Sequence, residues 1–200
     1  YQQGLFPMAE SRYAKRVKWV EPKKRGIFQL GKFHISRSLK RVILKKDYSI
    51  TVNSCFPKVV EKCADRNETW INQDIYNCYC KLHDDGFAHS VEVWRDNRLI
   101  GGVYGVAIGA AFFGESMFSE VSNGSKIALT YLHDRLLKAG FILFDTQFLT
   151  EHLASLGAIE ITQAQYLIKL EQALNKNANF LNINYSADVA TIAQRSTQTS

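Results

Sequence analysis

Three strand-like stretches follow one another between His89 and the Asn123-Gly124 break, and that run constrains the fold more than any other part of the chain. His89-Ser90-Val91-Glu92-Val93-Trp94 alternates as a half-buried strand does. Asp96-Asn97 supplies turn chemistry, and Leu99 to Gly109 returns as the second strand of a hairpin. Ala110 to Phe113 starts a third. The period then changes. Ser125 opens a helix through Leu129, Leu132, Leu136 and Leu137, and Gly140 closes it. Phe141-Ile142-Leu143-Phe144 is a buried strand that runs into Asp145-Thr146-Gln147. Ile159 to Ile161 adds a short strand and Ala164 to Leu174 a last helix. The order predicts an α+β protein with a mostly antiparallel sheet flanked by helices.

Upstream, Tyr48 to Val52 reads as a strand, Ser54–Ala64 as a helix with Val59, Val60 and Cys63 inward, and Gln73–His83 as a second helix from Ile75 through Tyr76, Tyr79 and Leu82. Ser36 is positioned to cap a short helix through Ile43. Gly4, Pro7, Pro22, Gly26 and Gly31 break residues 1–46 into short pieces, which predicts a small N-terminal lobe. Residues 47–176 form the main domain. After Lys176 the composition turns polar, so 177–200 reads as a weakly held tail.

Charge is unevenly placed. Of the 25 Lys and Arg, 13 fall in residues 1–50 with only 3 of the 19 Asp and Glu, a net of +10 against −4 for the remainder. Clusters at Lys23-Lys24-Arg25 and at Arg37, Lys40, Arg41, Lys45 and Lys46 suit a polyanion, with nucleic acid favoured over a membrane surface. No apolar run reaches the roughly 18 residues of a membrane span, and no signal-peptide pattern opens the chain. Cys55, Cys63, Cys78 and Cys80 form no C-x-x-C and read as buried, reduced thiols of a cytoplasmic protein.

Three places carry possible chemistry. Glu115, in Gly114-Glu115-Ser116, sits where a strand leaves the sheet. It either meets a cationic substrate group, acts as a base, or pairs with a nearby Lys or Arg. Asp145 and Gln147 stand two apart after four large apolar residues and so share a face. Trp70 either stacks on a base or caps the core. The lone His152 has no partner at metal spacing, so no metal is assigned. Gly114-Glu115-Ser116 lacks the second glycine of a hydrolase elbow. Gly101-Gly102-x-x-Gly105 lies within a strand pattern, so it signals close backbone approach rather than a dinucleotide loop.

Longer strings are more specific: YQQGLFPM at 1–8, FHISRSL at 33–39, TWI at 69–71 and LHDDGFAHSVEVW at 82–94. They continue with GGVYGVAIG at 101–109, FFGESMFS at 112–119, SKIAL at 125–129, DTQ at 145–147 and HLASLGA at 152–158. In this order they resemble the bacterial leucyl/phenylalanyl-tRNA–protein transferases, from about Tyr1 to Leu174.

The resemblance implies a domain like the acetyl-CoA-dependent (GNAT-like) N-acyltransferases and transfer of leucine, phenylalanine or methionine from aminoacyl-tRNA. The acceptor would be the α-amino group of proteins beginning with Arg or Lys, and the product a mark for degradation. It implies Asp145 and Gln147 at the chemical step and Glu115 on the acceptor. An apolar aminoacyl pocket would comprise Val103, Leu129, Leu132, Leu136 and Phe144. tRNA contacts would come from Trp70, Phe28, Arg37, Lys40 and Arg41. Phe28 enters because the family often has Trp where this chain has Gln29. No cofactor is implied, since the pyrophosphate loop of coenzyme A enzymes is absent before Ser125, and a monomer is expected. The competing readings are a non-catalytic RNA-binding module of the same fold and a coenzyme A-dependent N-acyltransferase.

Overall fold

The computed structural model describes residues 1–181. The hairpin forms as the sequence suggests. Strands β5 (Ala88–Arg95) and β6 (Arg98–Ile108) are joined through Asp96 and Asn97, both left-handed at φ 50° and 60°. That is the backbone a tight hairpin between right-twisted strands requires. β7 (Ala111–Ser119) pairs antiparallel with β6, and helix α4 (Gly124–Lys138) then leads to β8 (Leu143–Gln147), which pairs parallel with β7. A helical connection is what a parallel neighbour needs.

The earlier elements follow the expected order. Strands β1 (Phe6–Ala9) and β2 (Val17–Val20) pair as a separate two-stranded ribbon. β3 (Lys24–Phe28) precedes α1 (Arg37–Lys45), whose first turn is capped by Ser36 accepting from the Leu39 N–H at 3.2 Å. β4 (Ser49–Val52), α2 (Phe56–Ala64) and α3 (Gln73–Asp84) lead into the hairpin. After β8 come the short α5 (Glu151–Ala154), β9 (Ala158–Thr162) and α6 (Gln163–Leu174), which starts in a capping box of Thr162 and Gln165.

The main sheet has seven strands in the order β4-β5-β6-β7-β8-β3-β9, with every pair antiparallel except β7–β8. Here the structure corrects the lobe boundary. Residues 1–46 do not stand apart, because β3 lies inside the sheet between β8 and β9. Strand alternation drives Ile27 into the core on one face and Phe28 into the core on the other.

Helices cover both faces, so the central strands are buried almost throughout. One core gathers Val91, Val103, Phe112 and Phe144 with Leu39 and Ile43 of α1 and Leu129, Leu132 and Leu136 of α4. The other gathers Tyr104, Phe113 and Leu143 with side chains of α2, α3 and α6. The glycines of β6 serve close approach, as expected. A Cβ on Gly101 would lie 2.5 Å from the backbone of Gly124, so α4 begins directly against the sheet.

The expected tail needs a second correction. Phe180 is buried, stacks on His89 with ring centroids 4.4 Å apart, and its carbonyl accepts from Arg135 Nε at 2.8 Å. The segment just beyond 176 is therefore held by an aromatic anchor, while 182–200 lies outside the described residues. Cys63 is buried, as expected of a core thiol, but Cys78 is exposed, and all four thiols are free.

Candidate active site

Strands β7 and β8 pair only as far as Phe113 with Asp145. Just beyond that point β7 carries a bulge. Tyr104 of β6 faces Ser116 while Gly105 faces Gly114, so Glu115 is the extra residue, and Gly105 has no room for a Cβ against the Phe113 carbonyl. A bulge re-aims a side chain and ends regular pairing. On β8 the strand ends at Gln147, which takes a left-handed backbone at φ 63°. Such a conformation is costly for a residue with a side chain and recurs at functional sites.

Glu115 is 9% exposed. Its Oε1 accepts from the Tyr1 hydroxyl at 2.6 Å and its Oε2 from the Tyr79 hydroxyl at 2.5 Å. Those two hydroxyls lie 2.7 Å apart, so carboxylate and phenols close a ring. Among the described residues no Lys or Arg forms an ion pair with Glu115. Burial pushes its carboxyl up to about 7, even though Tyr1, Tyr79 and Gln147 favour the anion. The Gln147 Nε2 is itself buried without a hydrogen bond within the described residues.

Asp145 is in the opposite condition. It is fully buried and its oxygens are occupied. Arg25 Nε donates to Oδ1 at 2.9 Å and to Oδ2 at 3.1 Å, and Arg25 Nη2 donates to Oδ2 at 2.6 Å. The Tyr166 hydroxyl adds a bond of 2.9 Å, and the Gln147 backbone N–H one of 2.7 Å. Arg25 in turn donates Nη1 to the Gly4 carbonyl and is clamped between the rings of Phe6 and Tyr166. In the sequence Arg25 belongs to a cationic cluster that suits a surface. In the fold it is 1% exposed and belongs to this pair instead.

The remaining expected site residues fall in three places. Val103, Leu129, Leu132, Leu136 and Phe144 sit together in one core, on the face of the sheet away from Asp145. Trp70 is half-buried, its ring nearly perpendicular to that of Tyr79, and lines a cavity of about 740 Å³ with Met8, Arg12 and Lys18. On α1, Arg37 and Arg41 are exposed and Lys40 half-buried, with no ion pair to any of them among the described residues.

Phe28 is a correction. It is buried, with Phe33 and Phe144 packed against it at 5.1 and 5.2 Å, and has no free face for a nucleotide. Sequence reasoning missed Tyr1, Tyr79, Arg25 and Tyr166. In the sequence Tyr79 is one more residue of a helical stripe. Only its partner, 36 positions away, distinguishes it from core.

The leucyl/phenylalanyl-tRNA protein transferase family model matches residues 27–171. Curated relatives carry the same name. The protein from Cereibacter sphaeroides is 56% identical over 200 residues, covering 100% of this chain and 94% of that one. That from Ruegeria sp. is 56% identical over 200 residues and 95% of its length, and that from Roseobacter denitrificans 58% over 182 residues. The full-length matches extend through the polar C-terminal segment. Among solved structures, FemX superposes with a TM-score of 0.55 at 12% identity, over 80% of this chain and 64% of that one, a likeness of fold. The fold, a mixed sheet with helices on both faces, is GNAT-like. The chain belongs to the leucyl/phenylalanyl-tRNA–protein transferase family and is an aminoacyltransferase.

Proposed function

We propose that this enzyme moves leucine, phenylalanine or methionine from aminoacyl-tRNA to the α-amino group of proteins beginning with Arg or Lys, marking them for degradation. The carrying observation is Glu115: a buried carboxylate with no Lys or Arg ion pair among the described residues, at the mouth where β7 and β8 part. A buried anion is costly unless a positive partner arrives, so the site favours the cationic N-terminal end of an acceptor.

Asp145 acts as an orienting group in this reading. Its bonds to Arg25 and Tyr166 fix it, and it holds the turn of Gln147 through the backbone N–H. Gln147, whose Nε2 has no hydrogen bond among the described residues, positions the amine or the ester carbonyl. The apolar set around Leu129, Leu132 and Leu136 takes the aminoacyl side chain. Trp70 and the α1 cations take the tRNA, the latter through phosphates. The protein works as a cytoplasmic monomer without a cofactor. No helix among the described residues is long and apolar enough to cross a membrane.

The test is transfer of radiolabelled leucine from leucyl-tRNA to an Arg-initiated peptide. A non-catalytic module would bind tRNA without transfer, and a coenzyme A enzyme would need an acyl thioester.

A further inference from the structure

Of the two carboxylates at the β7–β8 mouth, one is fully engaged and the other is not. Asp145 accepts five hydrogen bonds, three of them from a guanidinium that does not give up its proton. Accepting another proton there would break the Arg25 pair and leave a buried cation alone. Glu115 accepts from the hydroxyls of Tyr1 and Tyr79, and among the described residues no Lys or Arg side chain pairs with it.

The ring of Glu115, Tyr1 and Tyr79 also suits a group that changes protonation state. In the anion, both hydroxyls donate to the carboxylate. Once the carboxyl is protonated, its O–H can donate to Tyr1, Tyr1 to Tyr79 across their 2.7 Å contact, and Tyr79 to the other carboxyl oxygen. Each donor keeps an acceptor in either state, so gaining a proton orphans no buried group.

We infer that Glu115, not Asp145, is the catalytic residue that removes the proton from the acceptor's α-ammonium, with Tyr1 and Tyr79 as positioning residues. The inference rests on the transfer reaction proposed above and names the acceptor group that Glu115 meets. The α-ammonium gives one proton to a Glu115 oxygen. Its lone pair forms the N–C bond at the ester carbonyl. The C–O bond to the tRNA ribose breaks with its electron pair on oxygen, and that oxygen takes a second proton from the attacking nitrogen. One proton remains on Glu115 and leaves to solvent.

The charged and titratable groups facing Glu115 are Tyr1, Tyr79 of α3, Tyr104 of β6, Asp145 of β8 and Arg25 of β3. Burial outweighs the donors, and the carboxyl titrates at about 7, where a base for this step is useful.

The experiment is the pH dependence of single-turnover leucyl transfer at saturating leucyl-tRNA and Arg-initiated peptide, for the full chain, Glu115→Gln and Tyr79→Phe. The unaltered chain should gain about tenfold per pH unit and level off near 7. Glu115→Gln should be slower at pH 7 by about 10²–10⁴-fold. Its rate should keep rising to about pH 8, where the peptide amine deprotonates unaided. Tyr79→Phe should move the break to higher pH, because a donor that favours the anion is gone; this variant carries the test if Glu115→Gln does not fold. An unmoved break in Tyr79→Phe would overturn the inference. So would a Glu115→Gln enzyme that keeps the break near 7 and raises only the peptide KM. Absence of transfer by the unaltered chain would instead overturn the function proposed above.

Discussion

Arg25 of β3 and Asp145 of β8, 120 positions apart, form a three-bond buried ion pair that ties the basic N-terminal segment to the strand ending at Gln147. Because β3 lies between β8 and β9, this pair is part of the sheet rather than a contact between lobes. Removing one partner leaves the other buried and unpaired. Arg25→Ala should therefore destabilise the protein by about 3–5 kcal/mol, read from urea unfolding at pH 7.5. A loss under about 1 kcal/mol would mean that the pair contributes nothing to the fold.

Glu115 should leave a mark on stability as well as on rate. Its carboxyl titrates at about 7 when folded, against 4.5 for the ordinary group. Between those values the folded chain holds a proton that the unfolded chain has lost, so stability falls as pH rises. The fall is about 3 kcal/mol in all, is complete above the folded value, and is absent below the ordinary one. Glu115→Gln should remove it, so the variant gains on the unaltered chain from pH 5 to pH 8. Parallel stability curves across that range would contradict the assignment.

The cations of α1 should act through phosphates. Reversing Arg37, Lys40 and Arg41 to Glu should weaken leucyl-tRNA binding by about tenfold or more. The log–log salt slope should become shallower by about 0.7–0.9 for each phosphate that is no longer neutralised. The readout is filter binding across a salt series. An unchanged slope would move the tRNA to another face.

The apolar set of α4 and the sheet, proposed above to take the aminoacyl side chain, should discriminate by shape. Leucyl-tRNA should outcompete isoleucyl- and valyl-tRNA on one Arg-initiated peptide by about 10–200-fold in kcat/KM, the worth of one misplaced methyl group. Equal transfer would place the aminoacyl side chain elsewhere. Leu132→Ala should relax the preference while costing about 2–5 kcal/mol of stability, since Leu132 is also core.

Much of the architecture is local and so legible in the chain itself. The Asp96-Asn97 turn, the Ser36 cap and the leucine stripe of α4 each follow from a few neighbouring residues, and each is where the sequence puts it. So is the pairing of Asp145 with Gln147 at a strand end. What tertiary structure decided is which charges are buried and which polar groups meet. Lys24 and Arg25 are adjacent cations, yet Lys24 is exposed against Glu160 while Arg25 is sealed against Asp145. β3 offers only Ile27 and Phe28 as apolar signal, too little to mark a sheet strand until β8 and β9 supply its hydrogen bonds. The bulge that aims Glu115 exists only as a register shift between β6 and β7. Phe180 stands in a polar stretch of sequence, and its stacking partner, His89, lies far away in the chain. Local periodicity and turn chemistry specify elements, whereas burial, register and proton affinity belong to pairs of residues brought together by folding.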